Sequence, residues 1–441
     1  MNILDYLEWR GDLSFARDAL NEVDMLIFAW LAYYDFGQYA DRGVDLDGLT
    51  LRELAELHVR ENGPFAQINP AKTIYPSVTA AWLLHCASGT ERFAPVRLRD
   101  FRQVADRAKS VQFAAASFLI GDSHRIIAYR GTDSTVAGWK EDCQLSFMEA
   151  VPAQRLAVQY LEENMDGRET AVCGHSKGGN LAVYAALHVS DSKLDGIRRV
   201  YNFDGPGFCF NLQNLARYEL LKERIITIVP ESSVIGMMLE HEEDYRIVES
   251  QMSGILQHDA LFWKVMRSGF VYSDKLSRSS VVVDKTLHDW LKQISPDERR
   301  EFVDVIFSVI EGSGVEKLSE LSEKTVQKGI RMLTAATTLS RQQRKMALRL
   351  LLNLVKTGNV NLYASVVNSD MAAELTRGLD TVRHSGVVTG VAKGIQEGRQ
   401  QIADAVDQGL GAIETLVSSK QGLLDRLKPA KAEAPSDRDQ K

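Results

Sequence analysis

The stretch that decides the fold is residues 171–180, which read Ala-Val-Cys-Gly-His-Ser-Lys-Gly-Gly-Asn. It contains the pattern Gly-x-Ser-x-Gly, with Ser176 at its centre. A short apolar strand is predicted before it, over residues 170–173, and a helix after it, over residues 179–189. A serine on a tight strand-to-helix turn forms a nucleophile elbow, in which glycines let the strand and the helix approach closely. We therefore predict that Ser176 is a nucleophile; the alternative is a turn whose serine caps the helix.

Short apolar segments alternate with amphipathic segments on both sides of this elbow. Strands are predicted over residues 111–120, 124–130, 170–173, 199–203 and 225–229, and helices over residues 153–164, 179–189 and 212–222. The first two strands flank Gly-Asp-Ser and are expected to form a hairpin. This alternation is typical of a largely parallel sheet covered by helices. The alternation predicts the α/β class with a mostly parallel central sheet, and the elbow around Ser176 adds the expectation of an α/β-hydrolase fold.

The first 110 residues are predicted to be mainly helical and to form the N-terminal part of the hydrolase domain. Apolar residues recur at helical spacing over residues 20–34, and Asn21 or Asp24 can begin that helix. A second helix is predicted over residues 49–60, with Thr50 as its cap. Residues 65–110 are mixed but also expected to be mainly helical, so the α/β core is assigned to residues 111–282.

The C-terminal region is predicted to be entirely helical over residues 283–427. Candidate helices cover residues 301–310, 314–334, 340–355 and 371–382, and one apolar stripe runs along a polar helix from Ile395 to Val417. Residues 428–441 offer almost nothing to bury and are predicted to be disordered. We expect these helices to dock on the hydrolase domain, to self-associate or to touch a membrane surface. The stripe is more typical of helix packing than of lipid binding.

Composition narrows the class of protein. The 441 residues are 45% hydrophobic and carry a net charge of -7, which gives no general electrostatic reason to expect nucleic acid as a partner. The first residues do not resemble a signal peptide, and four widely spaced cysteines indicate reduced thiols, so a cytoplasmic location is expected. The sequence has no phosphate loop, zinc-protease motif or nicotinamide fingerprint, and we predict no cofactor and no metal.

A nucleophile of this kind needs two donors for the oxyanion of the reaction intermediate. The backbone N–H of Lys177 is the first candidate. The second is Thr132 in Arg-Gly-Thr-Asp, residues 130–133, which follows a predicted strand before the elbow. The alternative is an ordinary turn that ends the strand. Trp139 and Asp142 follow closely and are expected to brace this loop.

These segments resemble known lipases. Tyr-Arg-Gly-Thr at residues 129–132, ahead of Gly-His-Ser-x-Gly-Gly, resembles class 3, fungal-type lipases, in which the residue after Arg-Gly belongs to the oxyanion hole; this implies that role for Thr132. Residues 1–310 are similar to an uncharacterised bacterial family of lipase-like α/β-hydrolases with a Gly-His-Ser-Lys-Gly-Gly-Asn elbow. The resemblance implies the order serine, acid, histidine. Lys177 departs from the Leu or Gln of true lipases, which argues against a lipid substrate.

The acid is expected at the end of a strand after the elbow. Asp204 ends the predicted strand 199–203 in Asn-Phe-Asp-Gly-Pro and resembles the aspartate of pancreatic-type lipases. The alternative acid is Glu231, which follows the next strand, and a third reading makes Asp204 a turn residue that binds its own loop.

The base is expected after the acid. We predict His258, in a loop before Phe-Trp. The alternative is His241, which lies in the charged run 240–244; His288 also follows in order but lies on a predicted helix. His175, beside the nucleophile, is expected to be structural or to line the pocket.

Together these residues predict a serine hydrolase that forms an acyl-enzyme. His258 takes the proton of Ser176, Asp204 fixes the imidazole tautomer, and the N–H groups of Lys177 and Thr132 bind the oxyanion. The expected substrate is a small-molecule or lipid-like acyl compound, such as an ester, thioester or peptide. The alternative is a catalytically weak binding or scaffold protein on a hydrolase fold, which uses its helical C-terminal region.

Overall fold

The structure is a computed structural model, and it describes residues 1–65, 76–133, 135–210, 216–239, 244–314 and 339–367. These residues, up to position 365, belong to one compact unit, Met1–Ser365. Several predicted features lie outside the described residues: most of the helix over 314–334, the helix over 371–382, the apolar stripe from Ile395 and the tail 428–441.

Thirteen α-helices occur in the described part of the chain. They are α1 (Ile3–Arg10), α2 (Glu22–Leu31), α3 (Gly37–Ala40), α4 (Leu51–Asn62), α5 (Pro76–Ser88), α6 (Val136–Gln144), α7 (Pro152–Asn164), α8 (Lys177–His188), α9 (Asp191–Leu194), α10 (Ala216–Leu221), α11 (Arg278–Lys292), α12 (Pro296–Gly312) and α13 (Arg341–Val367). Asn21 and Thr50 begin α2 and α4 with capping boxes, in which each side chain accepts a backbone N–H of the first turn. None of these helices has both the length and the hydrophobicity that crossing a membrane requires.

Ten strands form two sheets among the described residues. They are β1 (Arg97–Asp106), β2 (Val111–Ile120), β3 (His124–Tyr129), β4 (Glu169–His175), β5 (Ile197–Phe203), β6 (Ile225–Pro230), β7 (Tyr245–Val248), β8 (Val265–Met266), β9 (Gly269–Phe270) and β10 (Tyr272–Ser273). The large sheet has the order β1-β2-β3-β4-β5-β6-β7-β10, and β8 pairs with β9. Strands β3 to β7 are parallel, whereas β1, β2 and β10 join by antiparallel pairing. This confirms the predicted α/β class with a mostly parallel central sheet.

Alternate side chains of the central strands enter two separate hydrophobic cores, because successive residues of a strand point to opposite faces. Ile126 and Ala128 of β3 pack in the core that contains α1, α2, α4 and α5. Ile127 and Tyr129 pack in the core that contains α7 and α8. The strands are therefore apolar on both faces, which explains why their sequences read as continuous apolar runs.

The C-terminal helices continue the same compact unit. Trp290 of α11 and Ile294, two residues after this helix, pack with Val305 of α12 and Leu350 of α13. Phe307 of α12 packs against Val136 of α6. The boundary expected between residues 282 and 283 therefore falls inside α11, which begins at residue 278.

The expectation that residues 65–110 are mainly helical is wrong for β1. This strand is at the edge of the sheet, and most of its side chains are polar and partly exposed, so it lacks the apolar alternation that predicts a strand. A bulge between Arg99 and Arg102 also interrupts its register. The sequence pattern also does not predict β7, β8, β9 and β10, because strands of two to four residues are too short to show an alternation.

Candidate active site

Ser176 occupies the turn between β4 and α8. Its backbone has φ 57° and ψ -133°, a left-handed conformation that is rare and strained for a residue with a side chain. Its N–H donates to the carbonyl of Phe203 at the end of β5 (2.9 Å). The side chain is partly exposed and makes no capping hydrogen bond to α8. The reading of Ser176 as a helix cap therefore lacks the contact that it requires.

Two glycines allow this turn. A Cβ on Gly174 would overlap the backbone of Gly178, and a Cβ on Gly178 would overlap the carbonyl of Tyr129 in β3 and lie 3.0 Å from the N atom of Gly131. Only glycine permits these approaches. As a result, the loop after β3 lies directly against the elbow, and Thr132 follows in that loop.

Asp204 follows β5, the neighbouring strand, and also has a positive φ of 50°. Its side chain is fully buried (0% exposed). One carboxylate oxygen accepts hydrogen bonds from Ser233 Oγ (2.5 Å) and Gly236 N–H (3.1 Å), and the other lies 2.6 Å from Nδ1 of His258. These contacts fix the carboxylate toward His258, so Asp204 does more than bind its own loop.

His258 ends a 3-10 helix, Gly254–His258, and its side chain is 28% exposed. Gln257 ties this helix down: its side chain accepts from Ser232 N–H (2.7 Å) and donates to the Met252 carbonyl (3.1 Å). The indole N–H of Trp263 donates to the Gln257 carbonyl (2.8 Å). The imidazole therefore extends from an anchored loop to a place that solvent reaches.

The alternative residues have different positions. Glu231 follows β6, where its backbone N–H donates to the Val248 carbonyl and its carbonyl accepts from Ser277 N–H. Among the described residues, the side chain of Glu231 makes no hydrogen bond with His258. His241 lies outside the described residues. Ser176 Oγ and His258 make no direct hydrogen bond with each other in the described part of the chain.

A buried polar network connects Thr132 to Lys177. Thr132 Oγ1 donates to a carboxylate oxygen of Asp142 (2.6 Å), and the other oxygen lies 3.8 Å from Lys177 Nζ. The Lys177 ammonium is 1% exposed and binds the backbone carbonyl (2.9 Å) and side-chain oxygen (2.8 Å) of Gln112 and a carboxylate oxygen of Glu141 (3.0 Å). Asp142 thus braces the loop as expected, whereas Trp139 is 40% exposed.

Asp142 has an unusual charge environment. Burial raises its pKa from 3.8 to about 6, against the opposing attraction of Lys177 and the hydrogen bond from Thr132. Below pH 6 the Asp142 carboxyl is therefore mostly neutral. The group that accepts the hydrogen bond from Thr132 thus changes its protonation state within the pH range of ordinary assays.

Tyr33 and His175 also belong to this region. The His175 ring lies 4.5 Å from the His258 ring between their centroids, and 4.8 Å from that of Trp30. Tyr33 follows α2, and its hydroxyl contacts Nδ1 of His175. Tyr33 could not be predicted as a site residue, because the helix before it is buried along almost its whole length and its sequence is typical of a protein core.

Comparisons with known proteins complete the description. No curated protein matches this chain. Among solved structures, the crystal structure of M37 lipase is similar over 48% of this chain and 68% of that chain, with 15% sequence identity and a TM-score of 0.31. The sequence model of the family described as Mbeg1-like matches residues 87–308. That match covers half of the chain and includes the elbow, Asp204 and His258, so this protein belongs to the Mbeg1-like family.

Proposed function

We propose that this protein is a serine hydrolase of the α/β-hydrolase type that cleaves an ester or a related acyl compound through an acyl-enzyme. Ser176 is the nucleophile, His258 the base and Asp204 the acid. The observation that carries the proposal is the 2.6 Å contact between Asp204 and Nδ1 of His258, beside a serine held on a strained elbow. A buried carboxylate on a partly exposed imidazole is the arrangement that general-base catalysis needs.

The proton on His258 can be assigned from this contact. In this proposal the Asp204 carboxylate only accepts, so Nδ1 of His258 carries the hydrogen of their contact. Nε2 of the neutral ring is then free to accept the Ser176 proton. In proteins without substrate such serine–histidine bonds are often long, and they tighten when substrate binds.

The oxyanion is bound by backbone N–H groups of Lys177 and Thr132 in this proposal. Lys177 is the first residue of α8, where the helix dipole favours a negative charge. The hydroxyl hydrogen of Thr132 is donated to Asp142, so Thr132 contributes its N–H while Asp142 is ionised. Asp142 thereby holds the loop that contains Thr132 without touching the substrate.

The acyl substrate is proposed to be small or lipid-like. Lys177 does not argue against a lipid-like substrate, because its ammonium is buried against Gln112 and Glu141 and adds no charge beside Ser176. Ile255 and Leu256 are 62% and 49% exposed on the same 3-10 helix as His258. An exposed apolar edge beside the base favours an acyl chain over a charged substrate.

The proposal is tested by labelling with a fluorophosphonate, which reacts with activated serines. We expect the full-length protein to be labelled and Ser176→Ala to lose the label while keeping its circular dichroism spectrum. Ser123→Ala, at an exposed turn between β2 and β3, is the matched control and keeps the label. Equal labelling of Ser176→Ala and the wild type would refute the assignment.

A further inference from the structure

His175 immediately precedes Ser176, yet it has no part in the proposed chemistry. Its side chain is 2% exposed, and it lies among the rings of Trp30, Tyr33 and His258. Such a buried imidazole requires partners for both ring nitrogens. Both partners are present, and the one that can only accept determines which nitrogen carries the hydrogen.

The first partner is the backbone carbonyl of His258, 2.8 Å from Nε2 of His175. A carbonyl oxygen only accepts, so Nε2 of His175 must carry the hydrogen. Burial, with a smaller contribution from His258, lowers the pKa of His175 well below 6.5, and the ring is neutral at pH 7. Nδ1 therefore has no hydrogen and needs a donor.

The second partner is the hydroxyl of Tyr33, 3.0 Å from Nδ1 of His175 and 3.2 Å from the His175 carbonyl. Burial raises the pKa of Tyr33 far above its ordinary value, so the phenol keeps its hydrogen. A Cβ on Gly131 would overlap both the Tyr33 hydroxyl and the His175 carbonyl. Tyr33 therefore also contacts the loop that contains Thr132.

We infer that His175 is a positioning residue for His258, which it holds through the hydrogen bond from Nε2 to the His258 carbonyl, in the tautomer that this carbonyl requires and that leaves Nδ1 facing the Tyr33 hydroxyl. This inference rests on the proposed function of Ser176 and His258. The base is then held at two points: Asp204 binds its ring, and His175 binds its main chain.

A neutral residue suits this place better than a charged one. During the proposed reaction His258 becomes an imidazolium, and a second cation 4.5 Å away would oppose that charge. A histidine that stays neutral donates one hydrogen bond without this penalty. Because its Nε2 is a donor, His175 also cannot accept a proton from Ser176.

The inference is tested with a matched pair of substitutions. In His175→Gln the amide nitrogen is three bonds from Cβ, as Nε2 is in histidine, so it can donate to the His258 carbonyl. In His175→Asn the amide nitrogen is two bonds away, at the place of Nδ1, and faces Tyr33. We expect the asparagine variant and His175→Phe to react with the fluorophosphonate about 10²-fold more slowly, since small displacements of a reacting group cost this much. The glutamine variant should recover most of the loss.

Two spectroscopic readouts separate positioning from general stability. In the wild type, long-range 1H–15N spectra should show His175 protonated at Nε2. The Nδ1 proton of His258, bound to Asp204, should be visible far downfield, persist in His175→Gln and be lost in His175→Asn. Protonation of wild-type His175 at Nδ1 would overturn the inference without any variant. So would equal rates for the glutamine and asparagine variants, or a wild-type rate for a folded His175→Phe. Failure of the proposed function is a different result, namely labelling of the wild type that does not depend on Ser176.

Discussion

Asp204 and His258 are 54 residues apart in the sequence, yet their side chains meet at 2.6 Å. The contact arises because β5 ends beside the elbow and the chain returns after β7 to the same edge of the sheet. The contact favours Asp204 over Glu231 as the candidate acid, since Glu231 follows β6, one strand further along the sheet.

We predict that Asp204→Asn lowers turnover far more than Glu231→Gln. Loss of the acid leaves the imidazole in the wrong tautomer and costs on the order of 10⁴ in kcat. Hydrolysis of p-nitrophenyl butyrate by the two purified variants measures the difference. An inactive Glu231→Gln beside an active Asp204→Asn would assign the acid to the later strand.

A second prediction concerns Asp142 and stability. Its pKa is raised in the folded protein, so the folded state holds the proton more tightly than the unfolded state does. The stability that this provides is complete below pH 3.8 and is lost as the pH rises through about 6. Relative to Asp142→Asn, the wild type should therefore lose at most about 3 kcal/mol of unfolding free energy between pH 4 and 7.

Urea unfolding of both proteins across this range measures that difference. Asp122→Asn removes one negative charge at an exposed turn and serves as the control for net charge. If the difference between the wild type and Asp142→Asn is the same at pH 4 and pH 7, the carboxyl does not titrate as described.

Arg92 provides a third prediction, on the N-terminal helices. Its guanidinium is fully buried and donates to both carboxylate oxygens of Asp24, also fully buried, and to the carbonyls of Leu13, Asp18 and Ala19. Arg92→Met leaves Asp24 without its cation, and we expect a loss of about 3–5 kcal/mol in unfolding free energy. Arg60→Met, at a side chain 68% exposed, should change it by less than about 1 kcal/mol. Similar midpoints for both variants in urea would contradict this.

The fourth prediction concerns the C-terminal helices. A chain that ends at Gly312 keeps Ser280, whose hydroxyl binds the carbonyl of Ser233 next to Asp204, but it lacks α13. Trp290, whose indole donates to the Leu350 carbonyl (3.0 Å), then loses its cover. We expect Ser176-dependent labelling to persist and the truncated chain to self-associate through the exposed apolar cluster.

Size-exclusion chromatography with light scattering, run beside the labelling assay, measures this. A chain that ends at Val367 retains α13 and is the control. A soluble, monomeric chain ending at Gly312 that fails to label would show that the later helices build part of the active site.

The central strands and the elbow could be predicted because their signals are local. Apolar runs such as residues 170–173 and the glycines around Ser176 identify their structure within ten residues. The choice between Asp204 and Glu231 was not local, since each follows a strand and only the path of the loop that carries His258 distinguishes them. For the same reason the sequence could not predict that the Lys177 side chain is buried, because its partner Gln112 is 65 residues away.

The sheet order has a consequence for how the chain folds. Every pairing in the large sheet except β7 with β10 joins strands that are consecutive in the sequence, so the sheet can grow as the chain is synthesised. Other contacts form only after residues 265–270 have been synthesised. The backbone N–H of Val265 donates to the carbonyl of Met1, and that of Phe270 donates to the Glu22 carboxylate, 248 residues earlier in the chain. His258 lies shortly before this late segment. A nascent chain can thus assemble Ser176 and Asp204 in the sheet before His258 reaches them, so in the proposed hydrolase the base is the last of the three groups to be placed.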